Sequence, residues 1–360
     1  MVCARYLPDL GGIETHVSEV APRMVAKGID LTVLTTDLSG RLPPYEQHGD
    51  LVIRRFPAHP RRSDLYASPA LARAVARGGY DLVHVQGLHT LLPPMVLATA
   101  RRAGIPTVVT FHTGGHSSHL RNALRDVQWW SMRPLLHRSD ALIAVCANEV
   151  ELFARRLGVA PETIRLIRNG AEPLPVGDAV AEVSGSPLIC SVGRLERYKG
   201  HHRLIAAMPA LLAIAPGAHL AVVGLGNYES HLRRLTARLG VGQAVTFTAF
   251  DSKHRAALGA LVGSSDVVAL LSDYEANPVA VMEALALGRK VVVAATSGLT
   301  ELASEGLVTA VAPDAPPSVL AALLARVAAD PDACAPKLPT WDGCVDELCG
   351  VYAEVASAHR

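Results

Sequence analysis

The chain has 360 residues, half of them hydrophobic, enough for two domains that each bury a core of their own. Its 34 Lys and Arg almost cancel 33 Asp and Glu, so a net charge of +1 supplies no global field for nucleic acid or an anionic membrane, and any anion recognition must be local. Six scattered cysteines show neither zinc-knuckle spacing nor a dense disulfide framework, and the opening MVCARYLPDLGG lacks a basic start followed by a long apolar stretch. Reduced thiols and a cytoplasmic protein without a signal peptide are therefore expected.

Short runs rich in Val, Ile and Leu alternate with longer segments of helical period, the pattern of parallel α/β units. In chain order, strands are expected at Val2–Ala4, Leu31–Thr35, Leu51–Phe56, Leu82–Val85, Thr107–Phe111, Ala141–Val145 and Ile164–Ile167. Asn169 to Pro187, rich in Gly and Pro and without periodicity, reads as an interdomain linker. A second series follows at Leu188–Val192, His219–Val223, Val245–Ala249, Asp266–Leu270, Lys290–Val293 and Leu307–Val311. The uncharged stretch Leu204–Tyr228 has the length of a membrane span, but Pro209, Pro216, Gly217 and His219 resolve it into a helix, a turn and a buried strand. Two consecutive βαβα blocks predict two doubly wound domains facing each other across a cleft, with ligands beyond the carboxyl ends of the strands.

Candidate chemistry sits at those strand ends. Gly11-Gly12 follows the first strand and permits close approach of backbone amides to a phosphate or sugar, or else makes a turn that needs positive φ; Glu14 and His16 come directly after it. His84 ends another strand and reads equally as a buried structural histidine. His112, His116 and His119 have helical metal-ligand spacing, but Gly114-Gly115 argues against a helix there, and no metal site is expected. A helix over His119–Arg138 carries Arg121, Arg125, Arg133 and Arg138 with Trp129-Trp130, a composition suited to packing one face and solvating the other, or to weak contact with a membrane surface. In the second block, Arg194 offers a bidentate fork for phosphate oxygens and Lys199 a compact charge, though neither segment is a P-loop and both could be ordinary loop charges. Gly224-Leu-Gly226 either lets backbone approach a nucleotide or makes a plain turn. The segment Leu271 to Gly288 is the most informative: Asn277 suits an N-cap and Pro278 the first helical position, leaving the amides of Val279 and Ala280 free at the positive end of a helix dipole. Glu275 precedes that start and Glu283 follows in the second turn, two acceptor-only groups suited to a hydroxyl-rich ligand. The only D-x-D, Asp330-Pro-Asp332, lies in a polar connection and is discounted as a metal site.

Glu275 and Glu283 match the E-x7-E motif of the family-4 retaining glycosyltransferases, and Cys190-Ser-Val-Gly-Arg-Leu-Glu-Arg-Tyr-Lys-Gly resembles the same family's G-R-L-x-x-x-K-G signature. This resemblance implies the GT-B fold, with a Rossmann-like acceptor domain over 1–172, a Rossmann-like nucleotide-sugar domain over 186–335, and a terminal helix, 340–358, crossing back to the first. It implies diphosphate binding by Arg194 and Lys199, donor-sugar contact by Glu275, ribose contact by Glu283, and a Gly-Gly loop at Gly12 meeting the diphosphate, with Glu14 and His16 as candidate acceptor contacts. It also puts Phe250 beside the nucleobase, Gly224 near the nucleotide, and His112, in a T-x-H match from Thr110, beside the sugar. Glu-Gly-Phe-Gly, frequent in the family, is here Glu275-Ala276-Asn277-Pro278. The implied reaction is metal-independent transfer with retention from a UDP- or GDP-type donor, with no further cofactor, to a small natural product, a lipid-linked glycan or a surface polymer. A sugar-nucleotide epimerase, a phosphorylase and a catalytically silent binding module are the competing readings.

Overall fold

The computed structural model describes residues 1–9, 11–61, 65–112, 129–176, 183–251, 253–331 and 337–359. His116, His119, Arg121, Arg125 and Asp332, along with part of the expected linker, lie outside the described residues. Two compact units emerge; the first holds the described residues up to 170 together with 339–359, the second those from 171 to 338.

The first unit is built on an eight-stranded sheet: β1 (Val2–Cys3), β2 (Thr32–Asp37), β3 (Tyr45–His48), β4 (Leu51–Pro57), β5 (Val83–Gln86), β6 (Thr107–Thr110), β7 (Ala141–Ala144) and β8 (Ile164–Leu166). Its helices are α1 (Gly12–Ala26), α2 (Pro69–Arg77), α3 (Leu92–Arg102), α4 (129–136) and α5 (Ala147–Leu157). Spatial order is β3-β4-β2-β1-β5-β6-β7-β8, parallel throughout except for β3, which pairs antiparallel with β4. That edge strand, Tyr-Glu-Gln-His, has three exposed residues of four and hence no apolar signal from which to expect it.

A six-stranded, fully parallel sheet makes the second unit, in the order β11-β10-β9-β12-β13-β14. These are β9 (Leu188–Val192), β10 (His219–Val223), β11 (Val245–Thr248), β12 (Val267–Leu270), β13 (Lys290–Ala294) and β14 (Thr309–Val311). The helices are α6 (His201–Ile214), α7 (Glu229–Arg238), α8 (Arg255–Ser264), α9 (Val279–Ala286), α10 (Ser297–Ser304) and α11 (Pro317–Ala329). The stretch that resembled a membrane span is α6, a turn and β10, and no helix of the described residues is long and apolar enough to cross a membrane. Strands such as β12, Val-Val-Ala-Leu, are buried at every position, as expected for a sheet covered on both faces.

The terminal helix α12 (Trp341–Ala358) belongs to the first unit. Thr340 Oγ1 caps it by accepting from the Gly343 N–H at 3.1 Å. Trp341, Val345, Leu348 and Val351 are buried in the cluster that includes Val17, Val20 and Met24 of α1. Lys27 reaches Asp346 at 2.6 Å along the same seam.

Candidate active site

In the second sheet the strand order reverses between β9 and β12, so the loops that leave them open a crevice at the carboxyl edge. The sequence loads both loops with charge. Lys199, from the first, donates through Nζ to Glu275 Oε1 of the second at 2.5 Å, and Ser272 Oγ donates to the same oxygen at 2.7 Å. The two charged side chains are only 15% and 10% exposed. Burial works against the Lys199 ammonium, but the Glu275 carboxylate outweighs it and holds the lysine above its ordinary range, so the pair is ionic.

Backbone geometry makes this approach feasible. Gly200 has φ +77°, and a Cβ there would collide with the Leu271 carbonyl, so glycine lets the lysine loop close onto the end of β12. Glu275 is clamped from the other side by Ser297, whose Oγ accepts from the Glu275 N–H at 2.9 Å and donates to its carbonyl at 2.7 Å. Ser297 itself sits at φ +42°, one of only two described non-glycine residues in that region; the other is His112. Strained backbone persists where surrounding contacts over-determine it, and such positions concentrate at functional sites.

Arg194 is tied to Lys199 through Tyr198, a residue that sequence reasoning passed over. Its guanidinium donates to Tyr198 Oη at 2.8 Å, while Lys199 Nζ lies 5.4 Å from the centre of the same ring. Arg194 also pairs with Glu196 at 3.0 Å and keeps 54% of its side chain exposed. Buried His201 anchors the loop, its Nδ1 2.9 Å from Ser191 Oγ; burial lowers its pKa to about 4, which leaves it neutral. Gly224 has a packing reason to be glycine, since a Cβ there would strike the Gly193 carbonyl beside Arg194.

The helix start differs from the sequence expectation by one residue. Pro278, at φ −74° and ψ 116°, occupies the cap position, and Asn277 lies outside the helix without capping it. The reason is local: Pro278 keeps an extended ψ, and the residue before a proline is itself steered away from helical backbone. The N–H groups of Val281 and Met282 both reach the Pro278 carbonyl, at 3.0 and 3.2 Å. The first-turn amides of Val279 and Ala280 have no acceptor within the helix and lie at the positive end of its dipole. Glu283, in the second turn, meets Arg255 of α8 at 2.6 Å. Phe250 lies just past β11, half-buried against the core that contains Met282.

The first unit has its own reversal, between β1 and β5. After β1, Gly11 is extended at φ −175°, with a Cβ there destined to strike the Glu14 carboxylate; Gly12 begins α1, is exposed and has open space around it. Neither has the positive φ of the alternative turn. His16, expected as an acceptor contact, is instead 1% exposed, wedged edge-on between the rings of His112 and Trp341 with Nδ1 on Asn169 Oδ1 at 2.8 Å. Burial lowers its pKa to about 4. An apolar period at α1 drew this side chain inward.

His112 follows β6 at φ +45°. Its Nε2 donates to Gln86 Oε1 at 2.7 Å, and its carbonyl accepts from His89 Nε2 at 2.7 Å. Burial, with neighbouring histidines, holds it well below its ordinary pKa and therefore neutral. His84 is buried too, with both ring nitrogens bonded, to Tyr352 Oη at 2.8 Å and Thr110 Oγ1 at 2.7 Å. Gln86 and Tyr352 were invisible as site residues; the only signal was that His84 and Gln86, two apart on a strand, share a face. Among the described residues no cysteine is in a disulfide; Cys3, Cys146, Cys190 and Cys344 are buried and Cys349 is half-buried.

Residues 10–173 match the profile of glycosyltransferase family 4, and residues 178–337 match that of glycosyl transferases group 1. The chain belongs to the family-4 glycosyltransferases. This glycosyltransferase is 29% identical to D-inositol 3-phosphate glycosyltransferase of Nocardiopsis dassonvillei, over 96% of the chain and 90% of that protein. Its architecture is the GT-B fold. It superposes on sucrose-phosphate synthase from Thermosynechococcus elongatus with a TM-score of 0.79 at 21% identity, covering 99% of both chains. The HepE protein of Anabaena, in complex with UDP-glucose, gives 0.69 at 19% identity, over 99% of this chain and 98% of that one.

Proposed function

We propose that this glycosyltransferase takes a sugar from a nucleoside-diphosphate donor, with retention at the anomeric carbon, and passes it to an acceptor hydroxyl. The observation that carries the reading is the buried Lys199–Glu275 pair beside Arg194 at the strand-order reversal, next to the free amides that begin α9. In the reaction, the bond between the anomeric carbon and the β-phosphate oxygen breaks, and negative charge grows on the diphosphate. Arg194, Lys199 and the amides of Val279 and Ala280 meet that charge, each well-placed donor supplying about 3 kcal/mol. A metal ion has no assigned part in this scheme. The acceptor oxygen attacks the face from which the diphosphate departs and delivers its proton to the leaving phosphate.

Glu275, locked by Ser272, Lys199 and Ser297, accepts from donor-sugar hydroxyls, and Glu283 accepts from the ribose. Phe250 flanks the base, Gly224 keeps the nucleotide-side loops close, and Asn277 shapes the sugar pocket. His112, in the first unit, positions the sugar; its neutral state makes it a hydrogen-bonding group and not a charge. The UDP-glucose complex of the structural relative supports a UDP-type donor, with GDP the alternative base. The acceptor is a small molecule or a glycan, and exposed Trp130 of α4 offers a point of weak contact with a membrane surface.

Thermal melts against UDP, GDP and the other nucleoside diphosphates test the donor assignment. One of them raises the melting temperature, and Glu283→Ala weakens its binding while the fold stays intact. No stabilisation by any nucleoside diphosphate, or unchanged affinity in Glu283→Ala, would sink the assignment.

A further inference from the structure

We infer that Tyr352, on the C-terminal helix α12, is a positioning residue for His112, acting through His84 and Gln86 to hold the His112 imidazole in one tautomer and one orientation. The inference rests on the reading of His112 as the group that positions the donor sugar.

His84 lies between the two ends of this chain of contacts. On one side Tyr352 Oη is 2.8 Å from Nδ1, on the other Thr110 Oγ1 is 2.7 Å from Nε2. A buried imidazole kept neutral has one donor and one acceptor nitrogen. Tyr352 remains a phenol, because burial raises its pKa, and where its hydroxyl donates to Nδ1 the His84 proton resides on Nε2, facing Thr110. The Tyr352 and His84 rings also meet edge to face, 5.6 Å between centres. The His84 ring is thus held in position and rotation.

The Gln86 carboxamide rests against that ring. Its Nε2 is 3.4 Å from His84 Nδ1 and 3.3 Å from His84 Nε2, a placement over the ring and not at its edge. With the amide nitrogen on the imidazole, the amide oxygen is turned outward, where it accepts the His112 Nε2–H at 2.7 Å. That bond leaves His112 Nδ1 as the ring's acceptor. A carboxamide flipped end for end would lay its oxygen on the His84 ring face, present a donor to His112 and reverse its tautomer, so the His84 ring that Tyr352 holds in place sets which His112 nitrogen bears the proton. The placement of Tyr352 follows from packing of α12 on α1, which no local signal near His112 encodes.

The test uses the full chain labelled with 15N-histidine, and Tyr352→Phe, which keeps the ring and removes the hydroxyl. Imidazole nitrogen shifts, assigned with His84→Asn and His112→Asn, report one tautomer each for His84 and His112 in the unmodified protein. In Tyr352→Phe both become mixtures, and UDP release from UDP-glucose, or GDP release from GDP-mannose, falls on the order of tenfold in kcat with donor KM unchanged. Gln86→Ala breaks the same relay independently and gives the same change at His112, which keeps the test decisive if Tyr352→Phe folds poorly. His112 shifts and kcat unchanged in either folded variant would overturn the inference. Full turnover in His112→Ala overturns the underlying reading as well, whereas an inactive His112→Ala beside a fully active Tyr352→Phe overturns the positioning role alone.

Discussion

Replacing Lys199 with Met separates what the ion pair does for stability from what it does for turnover. The substitution keeps most of the apolar stem and removes the ammonium, leaving the Glu275 carboxylate 10% exposed with Ser272 as its remaining side-chain donor at 2.7 Å. Were the pair exposed, its loss would cost less than about 1 kcal/mol. Because both partners are buried, an orphaned carboxylate costs roughly 3 to 5 kcal/mol. For a unit of this size, that is on the order of a 10 °C fall in melting temperature. A second change, Glu275→Gln, removes the orphan charge while the new carboxamide still accepts from Ser272, so the double variant recovers stability to within about 1 kcal/mol of the unmodified protein. Urea melts of the three variants measure the cycle, and release of UDP or GDP from the sugar nucleotide measures turnover. The double variant regains stability and stays inactive. A single variant that loses less than about 1 kcal/mol, or a double variant no more stable than the single, refutes the reasoning.

Two further expectations concern other parts of the molecule. His16, His84 and His112 are buried neutral, with folded-state pKa values depressed, to about 4 for His16. Their contribution to stability is complete above the unfolded value of about 6.5 and is lost as pH falls toward the folded values, at up to about 1.4 kcal/mol per pH unit for each proton. Denaturant melts at pH 7, 6 and 5 should show this decline, and a flat profile would contradict it. Arg255→Ala removes one partner, at 2.6 Å, from the Glu283 carboxylate; Glu283 is 12% exposed and Arg255 30%, so stability falls by about 1 to 3 kcal/mol, between the exposed and the buried case, while donor KM rises several-fold. An unchanged KM would mean that Arg255 is not what holds Glu283 in position.

The sequence by itself determined the strand-rich, doubly wound α/β architecture, because apolar period is local and β9 and β10 are continuous buried runs that can be read directly. It also placed Arg194, Lys199, Glu275 and Glu283 after strands or at a helix start, where backbone chemistry favours an anionic, hydroxyl-rich ligand. It missed β3, whose exposed polar residues obey no period, and it put Asn277 at a cap that the extended backbone of Pro278 occupies. Only the tertiary structure decided partnerships: Lys199 with Glu275, Arg255 with Glu283, Ser297 with the Glu275 backbone, and Tyr352 with His84, separated in sequence by 76, 28, 22 and 268 positions. Such contacts depend on how strands order themselves in a sheet and on where a terminal helix packs, and periodicity along the chain carries no record of either. His16 makes the same point in reverse. Its position after a Gly-Gly turn suggested a ligand contact, but the buried face of α1 and the rings of His112 and Trp341 made it part of the core.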